Sequence, residues 1–384
     1  MWSDFGASRS TGHRTANARA VAGAGLLFLA ACGGGSSGSG SSGGGSSSSS
    51  AASSASASCD VAAREADLTA AFGALSSDVD FSYGAERSDG RRYVYNRGAS
   101  TLTTSYESAS TSKMVTAIVI LRLVDQGYLR LTDRPQAYIP SWPIAPSDPL
   151  YNMTLAQLLS FTSGLEDEPA CVNLPGVDMA TCVNAIATTN ANKSVVPGTR
   201  FFYAATHMQV AGLMAVRARG LANWKAVFDE FKAQTGQFPN GTYDLPSETN
   251  PRLSGGMHWT GIEYLNFLKA LKAGTLLSPP LMNEYLKDHT PAPVIMASSP
   301  ASEIGEDWHY GFGFWHECQS ATFTCQPAER VSSPGAYGAY PYWDRQKNYI
   351  GMLARQGPLG SFTSGVVDAE RIVRPKVEAW AACQ

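Results

Sequence analysis

Apolar and polar positions along the chain change period several times, and each change predicts an element. Residues 60–77 carry Val61, Ala62, Leu68, Ala71, Phe72 and Leu75 at helical spacing. DFSYGAE (80–86) and RRYVYNRG (91–98) alternate around the turn RSDG, predicting two strands. A strong helix follows, with Met114, Ala117, Ile118, Leu121 and Val124 on one face and Gly127 at its end. From 130 to about 300 the pattern is one of helices and long loops. TLAQLLSF (154–161), HMQVAGLMAVRARG (207–220) and GIEYLNFLKALKAG (261–274) are its clearest helical pieces. Strand character returns in YGFGFWHE (310–317), GAYGAYPYW (335–343) and NYIGMLA (348–354). A last helix near 363–381 carries Pro375, which is expected to interrupt it. Strands at both ends with helices between predict an α/β sheet domain split by a helical insertion.

The first 58 residues follow no such pattern. Arg9, Arg14 and Arg19 precede the apolar run AVAGAGLLFLAA (20–31). Twelve residues are too few for a bilayer span, which needs about 20, but they suit the apolar core of a secretory signal. Leu29-Ala30-Ala31-Cys32 resembles the lipobox of bacterial lipoproteins, and that resemblance implies a lipidated Cys32. Residues 33–58 are almost wholly Gly, Ser and Ala, so ordering them would cost entropy with nothing to bury. As a coil of 26 residues they would reach roughly 28 Å, the reach of a tether. The expected organisation is a signal over 1–31, an anchor and linker over 32–58, and one folded body over 59–384.

Charge removes several function classes. The chain has formal net charge −3, and without residues 1–31 it keeps 26 basic and 31 acidic residues. Nothing marks a nucleic-acid or polybasic membrane surface. Six cysteines remain beyond Cys32, an even number that suggests disulfides in an oxidising compartment. Of fifteen pairings the economical one joins Cys171 to Cys182, Cys318 to Cys325, and Cys59 to Cys383 across the ends of the body. No C-x-x-C spacing suggests a metal.

The chemistry centres on ESASTSKMVTA (107–117), a serine-rich turn at the mouth of the strong helix. A serine hydroxyl needs an adjacent base to act as a nucleophile. The spacing of Ser110 and Lys113 puts the amine one turn along on the same side. A lysine accepts that proton only where its pKa is depressed, and free N–H groups at a helix start favour a developing oxyanion. Ser-x-x-Lys is short, and a solvated lysine behind capping serines would read the same way.

Its neighbours carry more. ASTSKMVTAIVILRLVDQGYLRLTD, LLSFTSGL, PGTRFFYAATHMQVAG, NPRLSGGMHWTGIEYLNFLKAL, YGFGFWHE and SSPGAYGAYPYWD stand in order over residues 80–355. Together they resemble the serine β-lactamase-like superfamily, which includes class C β-lactamases, D-alanyl-D-alanine carboxypeptidases and family VIII esterases. The resemblance implies an antiparallel sheet flanked by N- and C-terminal helices, with an inserted all-helical subdomain. It implies Ser110 as acylated nucleophile, Lys113 as proton acceptor and Tyr203 as the phenol that protonates the leaving group. It also implies Ser333-Pro334-Gly335 as the third motif, with the N–H groups of Ala336 and Ser110 as oxyanion hole.

Two departures narrow the substrate. Ala205 stands where the family's Tyr-x-Asn has its amide, and Ser333 stands where Lys-Thr-Gly or His-x-Gly places a cation. Both losses argue against substrates gripped through a carboxylate and suit a neutral ester or amide. Elsewhere, His207 is either a pocket residue or a packed histidine. His309 and His316 lack a matching carboxylate pair for a metal. Glu166-Asp167-Glu168 reads as a solvated loop, and no Gly-x-Ser-x-Gly elbow occurs.

The expectation is a serine hydrolase that cleaves a small ester or amide through an acyl-Ser110 intermediate. It would act without cofactor or metal, as a monomer tethered through Cys32 to a bacterial envelope membrane, by resemblance the outer one. The alternatives are a D-alanyl-D-alanine peptidase or β-lactamase, and a non-catalytic binding lipoprotein of the same fold.

Overall fold

The computed structural model describes residues 59–325, 327–360 and 366–383. The signal, Cys32 and the Gly/Ser-rich stretch lie outside the described residues. In chain order the elements begin with α1 (Val61–Ala74), β1 (Ser82–Glu86), β2 (Arg92–Asn96), β3 (Ser105–Glu107), α2 (Ser112–Asp125), α3 (Leu155–Leu159) and α4 (Met179–Asn190). Next come β4 (Arg200–Phe202), α5 (Thr206–Arg219), α6 (Trp224–Thr235), β5 (Thr242–Tyr243), β6 (Met257–Thr260), α7 (Gly261–Lys272) and α8 (Pro279–Tyr285). The last are β7 (Ile295–Ser298), α9 (Pro300–Glu303), β8 (His309–Tyr310), β9 (Trp315–Glu317), β10 (Arg330–Ser332), β11 (Tyr340–Asp344), β12 (Tyr349–Ala354) and α10 (Val367–Ala381).

Seven strands form one antiparallel sheet in the order β2-β1-β12-β11-β10-β9-β8. Strands from the early and late parts of the described residues thus pair at the β1–β12 ladder, where Ser82 faces Ala354 and Glu86 faces Ile350. Helices α1 and α10 pack together, and α7 lies against β1, β11 and β12. Every residue of β1 is buried, as expected for a strand covered on both faces. Tyr83 stacks on Phe72 of α1 with ring centroids 4.3 Å apart. Gly84 turns the other way, and a Cβ there would fall 2.5 Å from Leu265 Cδ1, so glycine leaves room for the α7 side chains as they pack.

Between β2 and β8 the chain is mainly helical, and it adds a three-stranded sheet β3-β6-β5 and a parallel pair β4-β7. Helix α2 threads this part. Its one-faced reading needs correction: Ser112–Leu121 are all buried, so the helix is covered all round. Helix α10 also departs from expectation, because it runs straight through Pro375. Val377 and Trp380 beyond the proline are buried, and Trp380 Nε1 donates to Glu65 of α1 at 3.1 Å. Packing outweighs the lost backbone hydrogen bond. The fully buried Arg330 guanidinium holds α10 from the sheet side, 2.6 Å from Glu370 and donating to Tyr349 Oη at 2.8 Å.

Disulfides join Cys59 to Cys383, Cys171 to Cys182 and Cys318 to Cys325. The first links Cys59, two residues before α1, to Cys383, two residues past α10, across a sequence separation of 324.

Candidate active site

The turn that presents Ser110 is built by its neighbours. Strand β3 pairs with β6, and Ser108 then closes on β6 from both sides: its N–H donates to Met257 O at 2.8 Å, and its Oγ accepts from Met257 N. Ala109 takes a left-handed backbone, φ 43°, unusual for a residue with a side chain. A 3-10 turn over Ala109–Thr111 follows, and α2 starts at Ser112. Thr111 is pinned by Trp259 Nε1 at its hydroxyl (2.8 Å) and by Tyr264 Oη at its carbonyl (2.6 Å). Ser110 is therefore held on a braced turn and remains half-exposed.

Lys113, the second residue of α2, reaches back to this turn. Its Nζ lies 2.8 Å from Ser110 Oγ and donates to Ser254 O at 2.8 Å. Only 4% of the residue is exposed. Burial, aided by the Arg252 guanidinium, holds its pKa well below the ordinary lysine range, while Glu168 pulls the other way. A neutral amine here donates one proton to Ser254 O and points its lone pair at the Ser110 hydroxyl.

Tyr203 follows β4 and closes the third side. Its N–H donates to Ser298 O of β7 at 3.1 Å, and its ring stacks on Trp315 of β9 with centroids 5.5 Å apart. Lys113 Nζ sits 4.6 Å from the ring centre, and the phenol hydrogen-bonds the Ser110 side chain. Burial raises the phenol pKa; the Ser110 contact and Arg252 oppose that rise. The phenol stays protonated near neutral pH, which leaves the Lys113 amine as the base available there.

His207 does not line the pocket. It is fully buried in α5, with Nδ1 2.8 Å from Ser163 Oγ, Nε2 2.8 Å from Phe202 O, and its ring stacked on Phe161. Nε2–H donates to the Phe202 carbonyl, and Nδ1 accepts from Ser163. Burial takes its pKa down to about 4, so it is a neutral tie between the TSG segment and the strand before Tyr203.

Ser333, just past β10, is buried and faces Ser110 rather than open space. Its Oγ donates to the backbone carbonyl of Ser110 at 2.9 Å. Gly335 is the other contact: a Cβ there would lie 2.7 Å from Ser108 O and 3.6 Å from Ser110 N. Glycine thus lets the chain at residue 335 pass close to the Ser108–Ser110 backbone. The Gly335 N–H donates to Ala339 O at 2.8 Å, and Ala336 O accepts from Gly360.

Residues 166–168 form a loop in which Asp167 is exposed, as expected, but the solvated reading fails for Glu168. Glu168 accepts from Ala205 N at 2.7 Å through one oxygen and from Arg252 at 2.7 Å through the other. Arg252 also donates to Asn173 beside Cys171. The carboxylate therefore reaches the start of α5 where the family's asparagine side chain is missing. Nothing in the local sequence flags Glu168 or Arg252, because their pairing joins segments 84 positions apart. His309 and His316 face each other across the β8–β9 hairpin, His309 against the Asp288 carboxylate and His316 against Lys287 O. Among the described residues no group of three His, Cys, Asp or Glu is placed to hold a metal ion.

The β-lactamase family model matches residues 85–363. Penicillin-binding protein 4 of Amycolatopsis lactamdurans is 30% identical over 123 residues, 31% of this chain. The match covers 32% of that protein, so the chain spans about a third of the curated relative's length. A candidate β-lactamase from Bacteroides dorei DSM 17855 superposes with TM-score 0.67 at 23% identity, over 83% of this chain and 98% of that one. EstCE1, a hydrolase with promiscuous acyltransferase activity, gives TM-score 0.64 at 18% identity, over 84% and 98%. At such identities the two structures speak for the fold, and the family model speaks for descent: the chain belongs to the β-lactamase family.

Proposed function

We propose that the protein is a serine hydrolase that cleaves small neutral esters or amides through an acyl-Ser110 intermediate. The observation that carries this reading is the 2.8 Å approach of a buried Lys113 amine to Ser110 Oγ. A binding protein has no use for a lysine held neutral at a serine hydroxyl, since burial of that group lowers stability.

In the proposed reaction Lys113 takes the Ser110 proton as Oγ attacks the substrate carbonyl carbon. The oxyanion forms between the N–H groups of Ser110 and Ala336. The Tyr203 hydroxyl passes its proton to the leaving oxygen or nitrogen and is reprotonated from Lys113. Water then attacks the acyl carbon, giving its proton to the same pair, and releases the acid with Ser110 restored. Residue Ser333, uncharged and committed to the Ser110 carbonyl, supplies no grip for a substrate carboxylate. The N–H of Ala205 is taken by Glu168, and its methyl offers no hydrogen bond. Both points favour a neutral substrate over penicillins and peptidoglycan stem peptides. Anchoring through a lipidated Cys32 in the cell envelope is part of the same proposal, supported by the lipobox-like residues 29–32.

The test treats detergent-solubilised full-length protein with a fluorophosphonate probe and, in parallel, a fluorescent penicillin, beside Ser110→Ala. Fluorophosphonate labelling that requires Ser110, without penicillin labelling, is expected. Labelling by both would favour a peptidase or β-lactamase, and labelling by neither would favour the binding protein.

A further inference from the structure

Ser333 brings no charge to the site. We propose that Arg252, held by Glu168 and Asn173, is a positioning residue whose charge acts on Lys113 and Tyr203. The inference rests on the acyl-Ser110 reading and assigns that site a regulating charge pair.

The geometry starts from the backbone. Segment 250–256 wraps the first turns of α2: Leu253 O accepts from Thr116 at 2.7 Å, and Ser254 O accepts from Lys113 Nζ. Two residues earlier the buried Gln209 of α5 fixes the segment, donating to Pro251 O at 3.0 Å and accepting from Leu253 N at 3.2 Å. Arg252 N donates to Leu245 O at 2.7 Å. Its side chain lies over Gly255, where a Cβ would sit 3.5 Å from Arg252 Cδ and 3.7 Å from the Ala109 backbone. Arg252 Cδ and the Ala109 backbone thus lie on either side of Gly255, while the guanidinium, with 16% of its side chain exposed, bonds Glu168 and Asn173. Glu168 prevents it from swinging away, and that carboxylate is itself fixed by Ala205 N.

The charged and titratable groups around Lys113 are few. Arg252 faces it from the loop before β6, Glu168 from the loop after α3, the Tyr203 phenol from the end of β4, and His207, neutral, from α5. Ser333 on the β10 side brings none. Outside this ring, Tyr337 and Glu107 lie within electrostatic range of each other, and Tyr337 within range of Arg252. A positive Arg252 disfavours a second positive charge on Lys113 and favours negative charge developing on the phenol oxygen, the two conditions proton transfer from Ser110 requires. Glu168 opposes the first effect, so the pair sets the poise of Lys113 by difference.

The test is the pH dependence of the rate at which the fluorophosphonate labels Ser110 in the full chain. Lys113 must be neutral, so the rate falls on the acid side. Arg252→Met is expected to move that acid limb up by about one pH unit, since it removes a repelling charge and leaves Glu168 unbalanced. Glu168→Gln, which keeps an acceptor for Ala205 N, is expected to move it down. Arg252→Lys should keep the limb near its original position, and Arg252→Met with Glu168→Gln should return it most of the way. A uniform slowing with the limb unmoved in both single variants would overturn the inference, as would an Arg252→Lys limb displaced like that of Arg252→Met. Absence of Ser110 labelling in the unaltered protein at every pH would overturn the acylation reading itself. Should Arg252→Met fail to fold, the sign of the Glu168→Gln shift decides alone.

Discussion

Ser333 Oγ donates to the carbonyl oxygen of Ser110 at 2.9 Å, so the third motif holds the nucleophile's own backbone. The role differs from gripping a substrate, and its removal has a distinct signature. A hydrogen bond of about 1 kcal/mol is lost in Ser333→Ala, which predicts a kcat about fivefold lower with KM little changed. Steady-state kinetics on a neutral ester checks this; a raised KM at constant kcat would place Ser333 on the substrate instead.

Lys113 carries a stability penalty that can be measured. Its folded pKa is depressed, whereas an unfolded lysine titrates near 10.4. Between those values the unfolded chain holds a proton the folded chain lacks, so the penalty grows as pH falls from about 10.4 toward the folded pKa. Lys113→Met removes it. The variant should lose Ser110 labelling yet melt a few degrees higher at pH 7, with the gap closing toward pH 10. A variant that melts lower at pH 7 would mean that Lys113 is held charged and paired.

Histidine burial sets the opposite end of the pH range. His207 and His316 are both taken down to about 4 by burial. In the unfolded chain each binds a proton below about 6.5, so folded stability is intact above that value and falls as pH drops toward 4. His207 alone accounts for about 3 kcal/mol of that loss. Denaturant midpoints from pH 7 to 4.5 should fall less steeply in His207→Gln than in the unaltered chain. Parallel slopes would contradict the buried neutral assignment.

The three disulfides should differ in worth according to the loops they close. Loop-closure entropy gives about 6 kcal/mol for Cys59–Cys383 and about 2 kcal/mol for Cys318–Cys325. The paired serine variants should therefore unfold in that order in a denaturant series, the Cys59→Ser/Cys383→Ser protein first. The reverse order would show that native contacts between α1 and α10 already hold the chain ends.

Much of the sheet was legible because its strands alternate and its hairpin is local: DFSYGAE and RRYVYNRG contain β1 and β2, and NYIGMLA contains β12. Ser110 and Lys113 were legible for a similar reason, since three residues of spacing already bring the two side chains together. What depends on distant segments was not. The burial of α2 on all sides, the persistence of α10 through Pro375 and the Glu168–Arg252 pair each arise from packing between parts far apart in sequence. Residue type left His207 open between pocket and core, and its contacts with Ser163 and Phe202 decide for the packed reading.

The most direct test mixes the full-length protein with a p-nitrophenyl ester and follows both products. A burst of p-nitrophenol stoichiometric with enzyme, with the acyl mass on the peptide that carries Ser110, is expected, and Ser110→Ala should show neither. Ester turnover that persists in Ser110→Ala, or acyl mass on another residue, would contradict the central claim.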